Sequence, residues 1–244
     1  MKFALIVPLL ALIAIVLLLV SGPGVHMGWW DFMTGFKLLK WAAFAGIAAI
    51  VVGVLMLIVP ATRRGHAAWL VISIIVGLSV AWMPWHWLQR AHTLPPIHDI
   101  STDTANPPPF VAVLPLRKGA SNPAVYGGAK IAAQQQAGYP DVKPLHLDVA
   151  PAQAFQRALA AAKKMGWTID AAVPADGRIE ATATTAWFGF KDDIVVRVRA
   201  DSSGSVVDVR SVSRVGESDV GTNAARVRKY LREIADVAEP GAQG

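Results

Sequence analysis

Three groups of residues in this sequence have the types that chemistry requires. His98 stands beside Asp99, with Ser101 and Asp103 close behind, the inventory of a Ser-His-Asp hydrolase. A triad is an arrangement in space, however, and neighbours on an extended segment point to opposite faces. Turn formation and docking of the segment are therefore the expected roles. Asp192 and Asp193 offer two carboxylates for a metal or for acid–base work. Only one of two adjacent strand residues can face a given site, so a polar strand start is expected there. The third group is Arg197, Arg199, Arg210 and Arg214 with Glu180 and Asp208. Guanidinium forks grip carboxylate or phosphate in a bidentate manner, which would make an anion or polar-ligand groove. The interleaved acids point the other way, to cross-strand ion pairs worth about 0.2–1 kcal/mol each. These six residues, with His98 and Asp99, are the candidate ligand-binding set. No catalytic and no metal-ligating residue is assigned.

Other patterns carry less. Val215 to Asn223 holds Gly216 and Gly221 in the spacing G-x-x-x-x-G, but no Lys-Ser/Thr follows, so this is not a P-loop. Asp219 or Thr222 suits the cap of a following helix. His26 and His86 could ligate a haem iron in principle, yet histidines flanking apolar segments need no metal, and no cofactor is expected. The chain has no cysteine, which removes disulfides, zinc-thiolate sites and thiol nucleophiles together.

These residues need elements to position them. Glu180 falls in Arg178–Thr185, a strand in which Ile179, Ala181 and Ala183 alternate with polar residues. In Ile194–Ala200 and Ser205–Arg214, Ile194, Val196, Val198, Val207 and Val209 likewise oppose the charged set. If the hairpins are in register, one sheet face is apolar and the other charged. Asp176-Gly177 and Asp201–Gly204 supply the turns. Leu145–Val149 and Trp167–Val173 read as further strands. A helix from Pro151 places Ala154, Phe155, Ala158, Leu159, Ala162 and Met165 on one side, and a closing helix from Thr222 places Val227, Tyr230, Leu231, Ile234 and Val237. The expected fold class is α+β: a two-layer sandwich of antiparallel sheet with helices on one face. It occupies residues 145–244, behind a proline-rich connector and irregular segment at 92–144, with Lys130–Gln136 as a short helix.

Before it, three apolar segments at about 3–20, 38–59 and 67–88 are each long enough, at ~1.5 Å per residue, to cross a hydrocarbon core of roughly 30 Å. Residues 1–91 are therefore read as three transmembrane helices, the first a retained anchor, since Ser21-Gly22-Pro23-Gly24 lacks an A-x-A cleavage pattern. Lys2, Lys37, Lys40, Arg63, Arg64 and Arg90 account for most of the net charge of +6. That basicity flanks the membrane and makes no nucleic-acid surface. The compact Arg63-Arg64 loop is the cytoplasmic signal, which puts the N-terminus inside and the C-terminal domain outside, in the periplasm. Trp29, Trp30, Trp41, Trp82, Trp85 and Trp87 fit an interfacial belt.

Several blocks together resemble a known family. They are Ile97-His98-Asp99-Ile100-Ser101-Thr102-Asp103, Ile179-Glu180-Ala181-Thr182, Phe190-Lys191-Asp192-Asp193-Ile194, Asp208-Val209-Arg210-Ser211-Val212-Ser213-Arg214-Val215-Gly216 and Gly221-Thr222-Asn223-Ala224. In order and content they are similar to the family catalogued as domain of unknown function 1499, from Ile97 to about residue 240. The resemblance implies an envelope-associated, membrane-anchored bacterial domain and supplies no activity. The expected protein is an inner-membrane protein whose partners are the lipid bilayer and an envelope protein or small polar ligand. A membrane-tethered envelope hydrolase and a structural subunit of a membrane complex are the alternatives.

Overall fold

The structure, a computed structural model, describes residues 5–236. The flanking Lys2, Phe3 and Ala4 of the expected first span, Val237 of the closing helix and residues 238–240 of the resembling region lie outside the described residues. The chain divides into two units. One holds Thr185–Gly189 and the chain up to His92; the other holds Thr93–Thr184 and the chain from Phe190 onward.

In the first unit, α1 (Ile6–His26), α2 (Phe32–Ile58) and α4 (Ala67–Thr93) are long and apolar enough to cross a membrane. A one-turn helix, α3 (Pro60–Arg63), lies between α2 and α4. The three long helices form because a helix satisfies its own backbone polar groups, as a bilayer interior requires. All three outrun the expected spans, since helices continue into polar flanks. Asp31 caps α2 by accepting from the Thr34 amide at 3.0 Å. Leu9, Leu12, Val16, Leu55 and Ile75 face outward, whereas Ala14, Ala42 and Val80 meet in the interior. At the crossing of α2 and α4, a Cβ on Gly77 would stand 2.5 Å from the Gly46 carbonyl oxygen. Only glycine lets these backbones approach so closely, the device by which membrane helices gain van der Waals packing.

The second unit contains β1 (Asp99–Ser101), α5 (Gly128–Gly138), β2 (Leu145–Leu147), α6 (Pro151–Lys164), β3 (Thr168–Val173), β4 (Arg178–Thr184), β5 (Lys191–Asp201), β6 (Gly204–Ser213) and α7 (Thr222–Ala235). The sheet runs β1-β6-β5-β4-β3, and β2 also pairs with β6. Every pairing is antiparallel. The two short strands lie end to end along β6: β1 opposite Arg210–Val212 and β2 opposite Ser205–Val207. The α+β sandwich is as the alternation predicts.

Its main core is the apolar face of the sheet, with Ile179, Ala181, Ile194, Val196, Val207 and Val209 beneath Ala154, Phe155, Ala158 and Ala162 of α6 and Val227, Tyr230 and Ile234 of α7. Tyr230 lies tilted against Trp167, ring centroids 4.6 Å apart, and donates its hydroxyl to the Ala158 carbonyl at 2.8 Å.

The interval 92–144 holds more order than its prolines suggest. It supplies β1, a 3-10 turn at Leu114–Arg117, and α5, which is longer than the helix expected at 130–136. A three-residue edge strand has no periodicity of its own. β1 forms through its long-range partner β6.

Candidate functional site

The charged residues assemble on the second face of the sheet, as period-two alternation requires. Arg178, Arg197 and Asp208 are directly opposed across three strands. Glu180, Val195, Arg210 and Ser101 form the next row, and Thr182, Asp193, Val212 and Asp99 the third. Asp192 and Asp193 part company, one to each face, so they make no paired-carboxylate site.

Residues 103–126 lie across this face, and each buried carboxylate has identified partners. Glu180 is fully buried. It accepts the successive backbone N–H groups of Val111 (3.0 Å), Ala112 (2.9 Å) and Val113 (3.0 Å). Arg178 completes the cradle by an ion pair. Three N–H groups converging on one anion form a nest, here filled by the protein's own carboxylate. Asp193 takes Arg117 at 2.5 Å and Arg214 at 2.7 Å, with the Thr182 hydroxyl at 3.1 Å. Its own hydrogen bond to Asp193 raises the Arg214 guanidinium above its ordinary pKa.

Asp99 receives Arg210 in a bidentate fork at 2.9 and 2.7 Å. The same guanidinium donates to the carbonyls of Pro108 (3.3 Å) and Ala124 (2.9 Å). It sits over the rings of Phe110 at 5.0 Å and Tyr126 at 5.5 Å. Burial, assisted by the charge of Asp99 and opposed by Arg210, pushes the Tyr126 phenol up to about 12. A small second core of Phe110, Val113, Val195 and Val212 lies between these ion pairs.

The fourth cluster is the most open. Asp208 binds Arg197 at 2.8 Å and Arg199 at 2.7 Å through one oxygen. Its other oxygen is buried without a hydrogen-bond partner. Asp103 reaches Arg197 at 3.1 Å, and the Arg199 side chain is 47% exposed.

His98 stands apart from this lattice. Its Nδ1 lies 3.2 Å from the Glu217 carbonyl, while Arg210 engages both oxygens of Asp99. The Ser101 hydroxyl donates to the Asp103 carbonyl at 2.9 Å. His98, Asp99 and Ser101 are thus not aligned as a triad. Among the described residues, no group of three His, Asp or Glu side chains could hold a metal ion. His86 stacks on Trp82 at 5.0 Å, and His26 Nδ1 is 3.2 Å from the Ala186 carbonyl.

Sequence reasoning misses a second network, on the apolar face at the start of α7. Arg226 pairs with Asp192 and contacts the Ser211 hydroxyl at 3.1 Å. Ser211 donates to Asn223 Oδ1 at 2.7 Å. The Asn223 amide donates to the His98 carbonyl and to the Ser213 hydroxyl, both at 3.0 Å. Asp219, one of the two cap candidates the sequence offers, accepts from the amides of Gly221 (2.9 Å) and Asn223 (2.6 Å) at the start of the helix. Burial raises its carboxyl pKa against those two hydrogen bonds. Ser211 and Ser213, polar residues on the helix-covered face, were the available signal. Arg117 and Asn122 were also missed, because they lie in an irregular segment with no periodicity to place them.

A family model described as a protein of unknown function, DUF1499, matches residues 99–234, more than half of the chain. The chain belongs to the DUF1499 family. No curated protein matches it. The DUF1499 region opens at β1 and closes within α7, so it takes in all six strands. The blocks that carry the resemblance supply Asp99, Glu180, Asp192, Asp193, Asp208, Arg210, Ser211, Arg214 and Asn223. In this DUF1499 member those residues all take part in the two polar networks.

Proposed function

We propose that this chain is a membrane-anchored, non-catalytic protein that presents its DUF1499 domain, for binding an envelope partner or small polar ligand, on the outer, periplasmic side of a bacterial inner membrane. The observation that carries the reading is the engagement of the buried carboxylates. Asp99, Glu180, Asp193 and Asp208 face arginines, backbone N–H groups and a threonine hydroxyl, so each is engaged by the protein's own groups. Of the candidate set, Glu180, Arg210, Arg214 and Asp99 brace the domain. Arg199, with Arg197 and the half-satisfied Asp208, is where a small anion or polar group would enter. His98 and Asp99, bonded to different partners, lend the hydrolase alternative no support.

The orientation rests on the flanking charges. Arg63 and Arg64, in the short α2–α4 connection, favour the cytoplasmic side. This places the chain after Thr93 across the membrane from them. Alkaline phosphatase fused after Gly244 tests it. Activity there, with no fluorescence from a green fluorescent protein fused at the same site, is the expected result; the reverse pattern would refute the outer location.

A further inference from the structure

Residues 103–126 have an outer surface as well as an inner one. Phe110 and Val113 turn inward to the small core, with Ala124 packed against it. Their neighbours turn outward: Val111 is 53% exposed, Leu114 47%, Leu116 49% and Val125 79%. Among the described residues of the second unit, the exposed large apolar side chains are these four. Both sets belong to the one layer of chain that covers the charged sheet face. The Glu180 nest and the Arg210 bonds to Pro108 and Ala124 hold that layer in a fixed conformation.

Along the segment, the charges that follow Asp103 have one sign. From Thr104 to Pro140 there is no Asp or Glu, and the charged residues are Arg117, Lys118 and Lys130. Arg117 is buried on Asp193, whereas Lys118 and Lys130 are exposed. Exposed aliphatic side chains with lysines beside them suit the headgroup boundary of an anionic bilayer. The apolar groups enter the acyl margin there, and the ammonium groups remain with phosphate. A bilayer is also the partner that the covalent structure brings close. Five residues separate Thr93, the end of α4, from Asp99 in β1, six steps that reach at most ~22 Å at ~3.3–3.6 Å per residue. Such a tether gives the bilayer surface a high effective concentration at the domain.

We infer that the outer surface of residues 103–126, centred on Val111, Leu114, Leu116 and Val125, is a lipid-docking surface that seats the DUF1499 domain on anionic phospholipid. It rests only on the helices crossing the bilayer.

The absence of cysteine makes the test clean. Leu114→Cys, Val125→Cys, Ser202→Cys in the β5–β6 turn and Leu78→Cys in α4 would each be labelled with an environment-sensitive fluorophore in the full chain. The labelled chains would be placed in nanodiscs of phosphatidylcholine with or without phosphatidylglycerol, doped with spin-labelled lipid. Unchanged melting of each variant certifies the fold. The expected result is blue-shifted emission and lipid quenching at positions 114 and 125, weaker without phosphatidylglycerol, with strong quenching at 78 and little at 202. Quenching at 114 and 125 no greater than at 202 would overturn the inference. Shielding of those labels from both lipid quencher and aqueous iodide would also overturn it, by showing a protein occupant. Loss of quenching at 78 would remove the spanning helices themselves, and the docking surface with them.

Discussion

The two faces of the DUF1499 sheet are covered by different physics. One face packs Ile179, Ile194, Val196, Val207 and Val209 under two amphipathic helices, where burial is non-directional and cooperative. The other holds an irregular segment through Glu180, Asp193 and Asp99, each with two or more directional bonds. Aliphatic contacts can rearrange around a small change. A carboxylate in a nest of three N–H groups cannot be replaced by a residue of another shape without stranding its donors. The first face should therefore control whether the domain folds, and the second how its covering segment is held.

Glu180→Ala should have the largest effect, about 3–5 kcal/mol, because it leaves Arg178 without its buried partner and three amides without an acceptor. Limited proteolysis should then cut within residues 103–126 while β5 and β6 stay intact. A uniform loss of protection across the sheet would erase the distinction between the faces. Ile194→Ala is expected to cost about 2–5 kcal/mol, and here hydrogen exchange should accelerate across all the central strands together.

Tyr126→Phe sharpens the contrast. Its hydroxyl is buried without a hydrogen-bond partner, so the change should cost less than about 1 kcal/mol near neutral pH. The pKa shift adds a sign. The phenol, raised to about 12 from its ordinary value of 10.0, keeps its proton longer in the folded state. Its contribution is complete below the unfolded pKa and is lost as pH rises through the folded one. Wild type should lose stability relative to Tyr126→Phe over that alkaline window, as read by melting at each pH. The smallest effect is expected for Arg228→Ala, which removes an exposed pair with Asp141 worth about 0.2–1 kcal/mol. Its clearest sign is a rise in the Asp141 pKa, which Arg228 holds below the ordinary carboxylate range, visible by NMR titration.

The same contrast explains what the sequence reveals. Ile194, Val196 and Val198 against Arg197 and Arg199 declare both faces by local alternation, and the helix faces around Phe155 and Tyr230 follow from their spacing. The membrane spans are legible from length and composition, though their ends are not. The assembly of Glu180, Arg197, Arg199, Asp208, Arg210 and Arg214 on one face could be deduced. Their coverage could not, because Glu180 is satisfied by backbone amides, which carry no side-chain signature, in a segment 67 to 69 residues away. Asn223 and Arg226 are hidden for a related reason: they join Ser211 and Asp192 through tertiary contacts between α7 and the sheet.

The central claim is that the charged face is an internal brace holding residues 103–126 in place. Hydrogen exchange of the Val111, Ala112 and Val113 amides, compared in the full chain with and without Glu180→Gln, tests it most directly. The brace predicts slow exchange at all three in wild type and fast exchange in the variant, with β5–β6 amides unchanged. Equal exchange at those amides in the two proteins would contradict it.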